Sequence, residues 1–558
     1  MLRGLPVNVR AGLKAAFGLT KGAGIDEIYR RNLWAKRPPP ESPRDAPASC
    51  TAGFALRRVC RVRAERFFPL FLFWAKVRFL LLQFLSGRAK VLRLFAFTMK
   101  YLLTFLGRVL AASPEFAVRG LCWLAGTLIW GFPSGRNRVA LSNISHCFPD
   151  MDSAQIDKIA RQSARRMVEM ALFVLASPYM SDERLKSRIK ISPIVWEELD
   201  KIVRNPRALV LMVPHFCMME TITMFPLLVG GKFPRTGVFY RPFDSPSMEE
   251  WIRKSRERFG INLLSRKKGL SSALDYLNNR GTVAILFDQN AGGSGVKTLF
   301  FERICSSSEL AGLFVERTGC DCALFYARRT GFWSSYIDGE FLPYRDREEV
   351  TIAANAWLEN RIRSDETARF DWLWLHRRWY VNRNPRDCLN IAAGRSILKK
   401  TLEFLGLPEM PRRDRIFIVA PADRKGAEEL AAEIPALRRS RPDAEVTLLC
   451  EGGYARDFAE RRVADCVLEI PARAGVGISR LKFFASIRPR YPDILISFQS
   501  GFAADLEARI TGAPMRLGVS SCSGARRRFF SCAYADGEKS GESTLANRAL
   551  KYFGMRES

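Results

Sequence analysis

In the run Ala208-Leu209-Val210-Leu211-Met212-Val213-Pro214-His215, a stretch of strand character ends in a Pro-His turn, and Phe216-Cys217-Met218-Met219-Glu220 follows. His215 and Glu220 would stand about 140° apart around an ideal helix, so they cannot share a helical face. They can meet if His215 sits in the turn and Glu220 in the first helical turn after it. A carboxylate held against one ring nitrogen fixes the tautomer and raises the basicity of the other. Such a pair can take the proton of an alcohol and let its oxygen attack an activated acyl group. Two further polar clusters close apolar runs: Tyr240-Arg241-Pro242, and Asp288-Gln289-Asn290 followed by Gly292, Gly293 and Gly295. Polar groups gathered at the ends of successive apolar strands form the usual ligand site of an α/β sheet.

The elements that must hold these residues read as alternating strands and helices from about 113 to 400. Ala208–Val213, Thr236–Tyr240, Thr282–Phe287 and Cys322–Ala327 are short apolar runs of buried-strand character. Ser247–Phe259 and Leu270–Arg280 between them have helical spacing. The alternation implies an α/β sandwich around a largely buried sheet. Other reactive residues have plainer readings. Cys217 reads as a small buried hydrophobe, Cys320 and Cys322 as part of a core strand, and His376, among Trp372, Trp374 and Trp379, as a structural or lipid-adjacent residue and not a catalytic one.

Charge points to an anionic partner. Lys+Arg 88 against Asp+Glu 57 leaves +31 over 558 residues, and residues 1–110 hold 21 basic and 5 acidic residues, so 21 − 5 = +16 of that excess. Residues 1–65 read as a basic, irregular arm with a Pro-rich break at Pro38-Pro39-Pro40. Residues 66–112 read as amphipathic, membrane-associated helices. Lys76 and Arg78 interrupt the first, and Arg93, Lys100 and Arg108 line one face of the second. A charge at the bilayer centre costs about 2.5–3.5 kcal/mol even on lenient scales, so an interfacial placement is expected over two spans. The 13 cysteines include no CxxC pair, which suits reduced thiols, and His146, His215 and His376 offer no zinc-finger spacing. The start, Met1-Leu2-Arg3-Gly4-Leu5-Pro6, lacks the long apolar core of a signal peptide. Nucleic-acid binding is not expected, because no recognition module accompanies the basic residues.

Residues 113–400 read as one domain, of which about 113–385 resemble the late, lauroyl/myristoyl-type acyltransferases of lipid A biosynthesis within the lysophospholipid acyltransferase superfamily. The resemblance rests on an ordered set: Arg138 through Asn143 to Cys147-Phe148-Pro149-Asp150, His215-x₄-Glu220, Tyr240-Arg241-Pro242, Asp288-Gln289, Leu299-Phe300-Phe301, and Trp374-Leu375-His376-Arg377-Arg378-Trp379. Glu302 departs from it, standing where that family usually has glycine. The resemblance implies His215 as general base, Glu220 as its orienting partner, Arg241 on an acceptor phosphate, and Asp288 with Gln289 shaping the site. It also implies an acyl chain on acyl carrier protein as donor, with no cofactor or metal. The acceptor would be the hydroxyl of a 3-hydroxyacyl chain on a phosphorylated glucosamine lipid, at the cytoplasmic face of a bacterial inner membrane. Another membrane lipid as acceptor is an open alternative.

Residues 401–413 read as a Pro-containing linker that few contacts cross. Residues 414–525 resemble the N-terminal lobe of heptosyltransferase-type glycosyltransferases (family 9), through Pro435-Ala436-Leu437, Pro442-Asp443-Ala444-Glu445-Val446, Tyr491-Pro492-Asp493-Ile494-Leu495-Ile496 and Gly512-Ala513-Pro514-Met515-Arg516-Leu517-Gly518. The family's Gly-Asp helix start falls at about Glu428-Glu429, with no glycine, and residues 526–558 read as a polar tail. A Rossmann-like half domain without glycosyl transfer is therefore expected. The rival is a lipopolysaccharide-core sugar-binding or glycosyltransferase-like protein with a membrane anchor.

Overall fold

The computed structural model describes residues 100–556, apart from 133, 231–232, 241, 243–244, 266–268, 382–383, 393, 473–476, 521–526 and 537–542. The arm expected over 1–65, the helical region up to residue 99, and Arg241 lie outside the described residues.

The first sheet has seven strands: β1 (Ile189–Ile191), β2 (Leu209–Val213), β3 (Thr236–Tyr240), β4 (Ile261–Ser265), β5 (Thr282–Leu286), β8 (Asp321–Gly331) and β9 (Ser334–Leu342). Their order is β1-β9-β8-β2-β5-β3-β4. β2 lies in the middle, parallel to both β8 and β5. Its Val210 and Met212 enter one core and its Leu209, Leu211 and Val213 the other, so the strand is apolar on both faces. β9 runs antiparallel to β8. It alternates buried Ser335, Ile337 and Gly339 with outward Tyr336, Asp338 and Glu340, and so escapes a search for continuous apolar runs.

Residues 100–112 are helical and lie close against the helix Ser153–Ala176. A Cβ on Gly107 would come within 2.4 Å of the Leu175 carbonyl oxygen. Among the described residues, no single helix is long and apolar enough to cross a membrane.

Apart from the sheet stands a hairpin of β6 (Val296–Phe300) and β7 (Arg303–Ser307). Its two turn residues, Phe301 and Glu302, both have left-handed backbone (φ 52° and 57°). Two-residue hairpins favour such turns, but normally with Asn or Gly in them.

The second unit is a complete parallel sheet: β10 (Asp414–Val419), β11 (Ala444–Glu451), β12 (Cys466–Ile470), β13 (Ile494–Ser497), β14 (Met515–Ser520) and β15 (Cys532–Ala535). The order β12-β11-β10-β13-β14-β15 is that of a doubly wound nucleotide-binding fold, with apolar clusters on both faces. The expected polar tail is part of it. β15 is its edge strand, and the helix Leu545–Tyr552 buries Ala546, Ala549 and Leu550. Three well-spaced apolar residues among polar ones make one narrow buried stripe, which composition alone does not reveal.

The two units are joined more firmly than a linker implies. Arg303, only 4% exposed, lies 3.4 Å from Asp414 and 3.0 Å from Asp493, at the amino ends of β10 and β13. Arg413 Nε donates to Glu302 Oε2 at 2.8 Å. Arg138 donates to the carbonyls of Thr511 (2.8 Å) and Gly512 (2.9 Å). Cys388 and Leu389 are buried in the second unit's core, whereas the helix Leu398–Leu405 packs back on β6 through Thr401 and Thr298. The chain therefore crosses between the units before the expected linker begins, and many contacts cross with it.

His146 is buried in this interface, its Nε2 3.2 Å from Asp493 Oδ2. Burial and the neighbouring Arg303 push its imidazole down to about 3, against the pull of Asp493. Between its usual 6.5 and that value the unfolded chain binds more protons, so His146 contributes a stability that is lost as pH falls. The stability of His146→Gln relative to wild type should therefore rise between pH 7 and pH 5, measured by urea unfolding. An unchanged difference would show that His146 is not held neutral.

Candidate active site

Parallel register builds the site. Val213, the last residue of β2, pairs with Leu286, the last of β5. Two residues beyond each lie His215 and Asp288, side by side though 73 positions apart in the chain. The backbone N–H of His215 donates to Asp288 Oδ2 at 2.9 Å, and Nδ1 lies 2.6 Å from Oδ1. The Trp372 indole also donates to Oδ2, at 2.7 Å. Burial alone would raise the Asp288 carboxyl, but His215 and the indole hold it down to about 2. An ionised Asp288 accepts a hydrogen bond from Nδ1–H and leaves the lone pair of Nε2 outward, where the Gln289 amide lies 3.0 Å away. His215 keeps some exposure (side chain 13%) and Gln289 is exposed, so the ring's working edge is reachable.

The carboxylate at His215 is thus Asp288, not Glu220. After His215 the chain makes a tight turn and a 3₁₀ segment, Met219–Met224, which carries Glu220 away from the ring. There it meets Arg256 on the helix Pro246–Glu257 in a two-pronged pair, both contacts at 3.0 Å. Beside them is a small cavity of about 70 Å³ between apolar residues of β2, β3 and β5. Glu220→Ala should destabilise the protein by about 3 kcal/mol, because it strands a largely buried guanidinium. Replacing both partners, Glu220→Met with Arg256→Met, should recover much of the loss in urea unfolding. A single variant as stable as wild type would contradict this pairing.

Around the dyad the loops are fixed by residues that sequence reading treated as background. Leu373 N–H donates to the His215 carbonyl at 3.2 Å, and Cys217 N–H to that of Asp371 at 3.0 Å. Arg378, fully buried, donates to the Gln289 carbonyl at 3.0 Å and to the Asn355 side-chain oxygen at 2.7 Å. His376 Nε2 accepts from the Asn290 N–H at 3.2 Å, and burial pushes its imidazole down to about 4. Asn143 clamps this same segment through the carbonyls of Trp374 (2.9 Å) and His376 (2.8 Å). The available signal was the density of Trp and Arg in 372–379, side chains that need partners when buried.

A histidine–carboxylate dyad at the carboxyl end of a central strand is a deprotonating device common to many enzymes, and the chain as a whole narrows the choice. Residues 86–380 match the model of the bacterial lipid A biosynthesis acyltransferases, more than half of the 558 residues. The chain belongs to that family. The acyltransferase is 24% identical over 269 residues to the lipid A biosynthesis acyltransferase of Haemophilus influenzae, a match covering 47% of this chain and 82% of that protein. Among solved structures its likenesses include two glycosyltransferases. One is the ADP-heptose lipopolysaccharide heptosyltransferase II of E. coli (TM-score 0.17, 16% identity, 19% of this chain and 30% of that one). The other is a family 9 glycosyltransferase of Veillonella parvula (TM-score 0.23, 12% identity, 26% and 42%). The acyltransferase therefore spans less than half the length of either of these two.

Proposed function

We propose that this acyltransferase moves a fatty acyl chain from acyl carrier protein to the hydroxyl of a 3-hydroxyacyl chain on a phosphorylated lipid A precursor, at the cytoplasmic face of the inner membrane. The His215–Asp288 dyad carries the reading. In the proposed step the acceptor hydroxyl displaces the Gln289 amide from Nε2 and gives its proton to that nitrogen. Its oxygen attacks the thioester carbonyl carbon, a C–O bond forms, and the C–S bond breaks. The departing thiolate takes the proton back from the imidazolium, which Asp288 stabilises throughout. Arg241 remains the proposed ligand of the acceptor phosphate, and the basic chain suits an acidic carrier.

Two features support work at a lipid surface. Tyr101, Phe105 and Val109 on the helix over 100–112 are exposed, and so are Phe116, Trp123 and Leu128 on the next helix, Glu115–Gly131. Consecutive helices with outward apolar residues fit an interfacial placement. The test is mass spectrometry of lipid A from cells carrying wild type, His215→Ala, or neither. The last two should lack one acyl chain, and a full complement in both would reject the reading.

No enzyme nucleophile is needed in this scheme. Cys217 is fully buried, and burial raises its thiol well above the usual range. Cys217→Ala should keep most of the activity, and a trapped acyl-thioester on Cys217 in wild type would overturn the direct transfer.

A further inference from the structure

Between the two units lies a cavity of about 360 Å³, with the amino edge of the second sheet on one side. The helix Gly135–Cys147 and the hairpin turn at Glu302 form the other side. Eight Lys and Arg side chains line it against four carboxylates. Three of the cations occupy all four carboxylates: Arg303 with Asp414 and Asp493, Arg413 with Glu302, and Arg441 with Asp443. The other five are Arg138, Lys297, Arg377, Arg509 and Arg516, and none has a carboxylate at ion-pair distance among the described residues.

Lys297 is the sharpest case. It is 6% exposed, and among the described residues its ammonium makes one hydrogen bond, to the Ile391 carbonyl at 2.8 Å. An ammonium has three donors, so two remain for whatever occupies the space. Burial, then the nearby Arg441, pushes Lys297 down to about 8, with Asp443 opposing. Arg138 is likewise lowered to about 10 by burial and by Arg488. Arg516 is lowered by burial and by Arg509. Desolvated cations that repel one another are stabilised by an anion between them. Charge on both walls disfavours an acyl chain. Cavities of this size begin to hold small ligands, and arginine forks suit phosphate.

We propose that this cavity binds a water-soluble phosphorylated molecule of about sugar-phosphate size, its phosphate drawn to the five cations that the wall leaves without a carboxylate. The site is separate from the His215 dyad and does not depend on acyl transfer.

The test is isothermal titration of the full chain with glucose 6-phosphate at constant ionic strength, alone and with phosphatidic acid vesicles present. One saturable site with Kd below about 1 mM is expected, not displaced by the vesicles. Arg377→Gln with Arg509→Gln changes two exposed residues and should weaken binding at least about tenfold while the unfolding midpoint stays put. Lys297→Met should weaken binding too, without lowering the midpoint of the unliganded protein. A Lys297 that served only to hold Ile391 would show the opposite pattern. Absence of saturable binding, equal affinity in the double variant, or displacement by the vesicles would each overturn the proposal.

Discussion

His215→Ala should lower the rate of acyl transfer by about 10²–10⁴-fold, the usual worth of a positioned general base, with little change in the unfolding midpoint. Asp288→Asn should fall nearly as far, for a different reason. An amide can still accept from the His215 backbone and the Trp372 indole, so the loop stays in place. It can also donate to Nδ1, which moves the imidazole proton to Nε2 and removes the lone pair that the acceptor hydroxyl needs. The check is initial-rate acylation with purified acyl carrier protein donor, beside thermal unfolding of each variant. A folded His215→Ala protein that keeps more than about a tenth of wild-type rate would end the general-base role.

Removing everything after residue 405 should cost the acyltransferase its stability and with it most of its activity. The cut takes away Asp414 and Asp493, which leaves the buried Arg303 without either partner. The side chains buried between the units would face water, and the apolar ones among them would lose the burial that stabilises them. A whole domain is stable by only about 5–15 kcal/mol. Cys388 and Leu389 would also lose the core in which they are buried. A fragment of residues 1–405 is expected to aggregate or to melt far below the full chain in scanning calorimetry. In the full chain, Asp493→Asn should give a smaller fall in the same direction. A soluble fragment with wild-type midpoint and rate would show that the interface is dispensable.

The contrast between these two sites marks what the sequence could convey. The strands on which the site stands were readable because they are buried on both faces. The runs expected at Thr236–Tyr240 and Thr282–Phe287 became β3 and Thr282–Leu286 with at most one residue of difference. His215 and Asp288 were both visible as polar residues closing such runs, but their partnership was not. Proximity along the chain favoured Glu220, five positions away, whereas strand register delivered Asp288 from 73 away. Register is a property of pairing between strands, and one unaligned sequence carries little of it. The joint between the units was hidden for a similar reason. Prolines near 401–413 mark a change in local conformation, but the partners of Arg303 and His146 lie far off in the chain. A charge bound for burial looks the same in sequence as one bound for solvent.

The hairpin turn at Phe301-Glu302 tells anyone separating the two halves where to begin. A side chain in left-handed backbone carries a penalty of about 1–2 kcal/mol that glycine would not. Here it is partly offset across the joint, because Glu302 reaches Arg413 of the other unit in a half-exposed ion pair. Taken alone, the acyltransferase half would keep the penalty and lose the compensation. Position 302 thus makes the fusion partly self-enforcing, since its residue is well suited to the joined protein and poorly suited to the severed one. Glycine there would be the first repair for an engineer who wanted the catalytic half to live by itself.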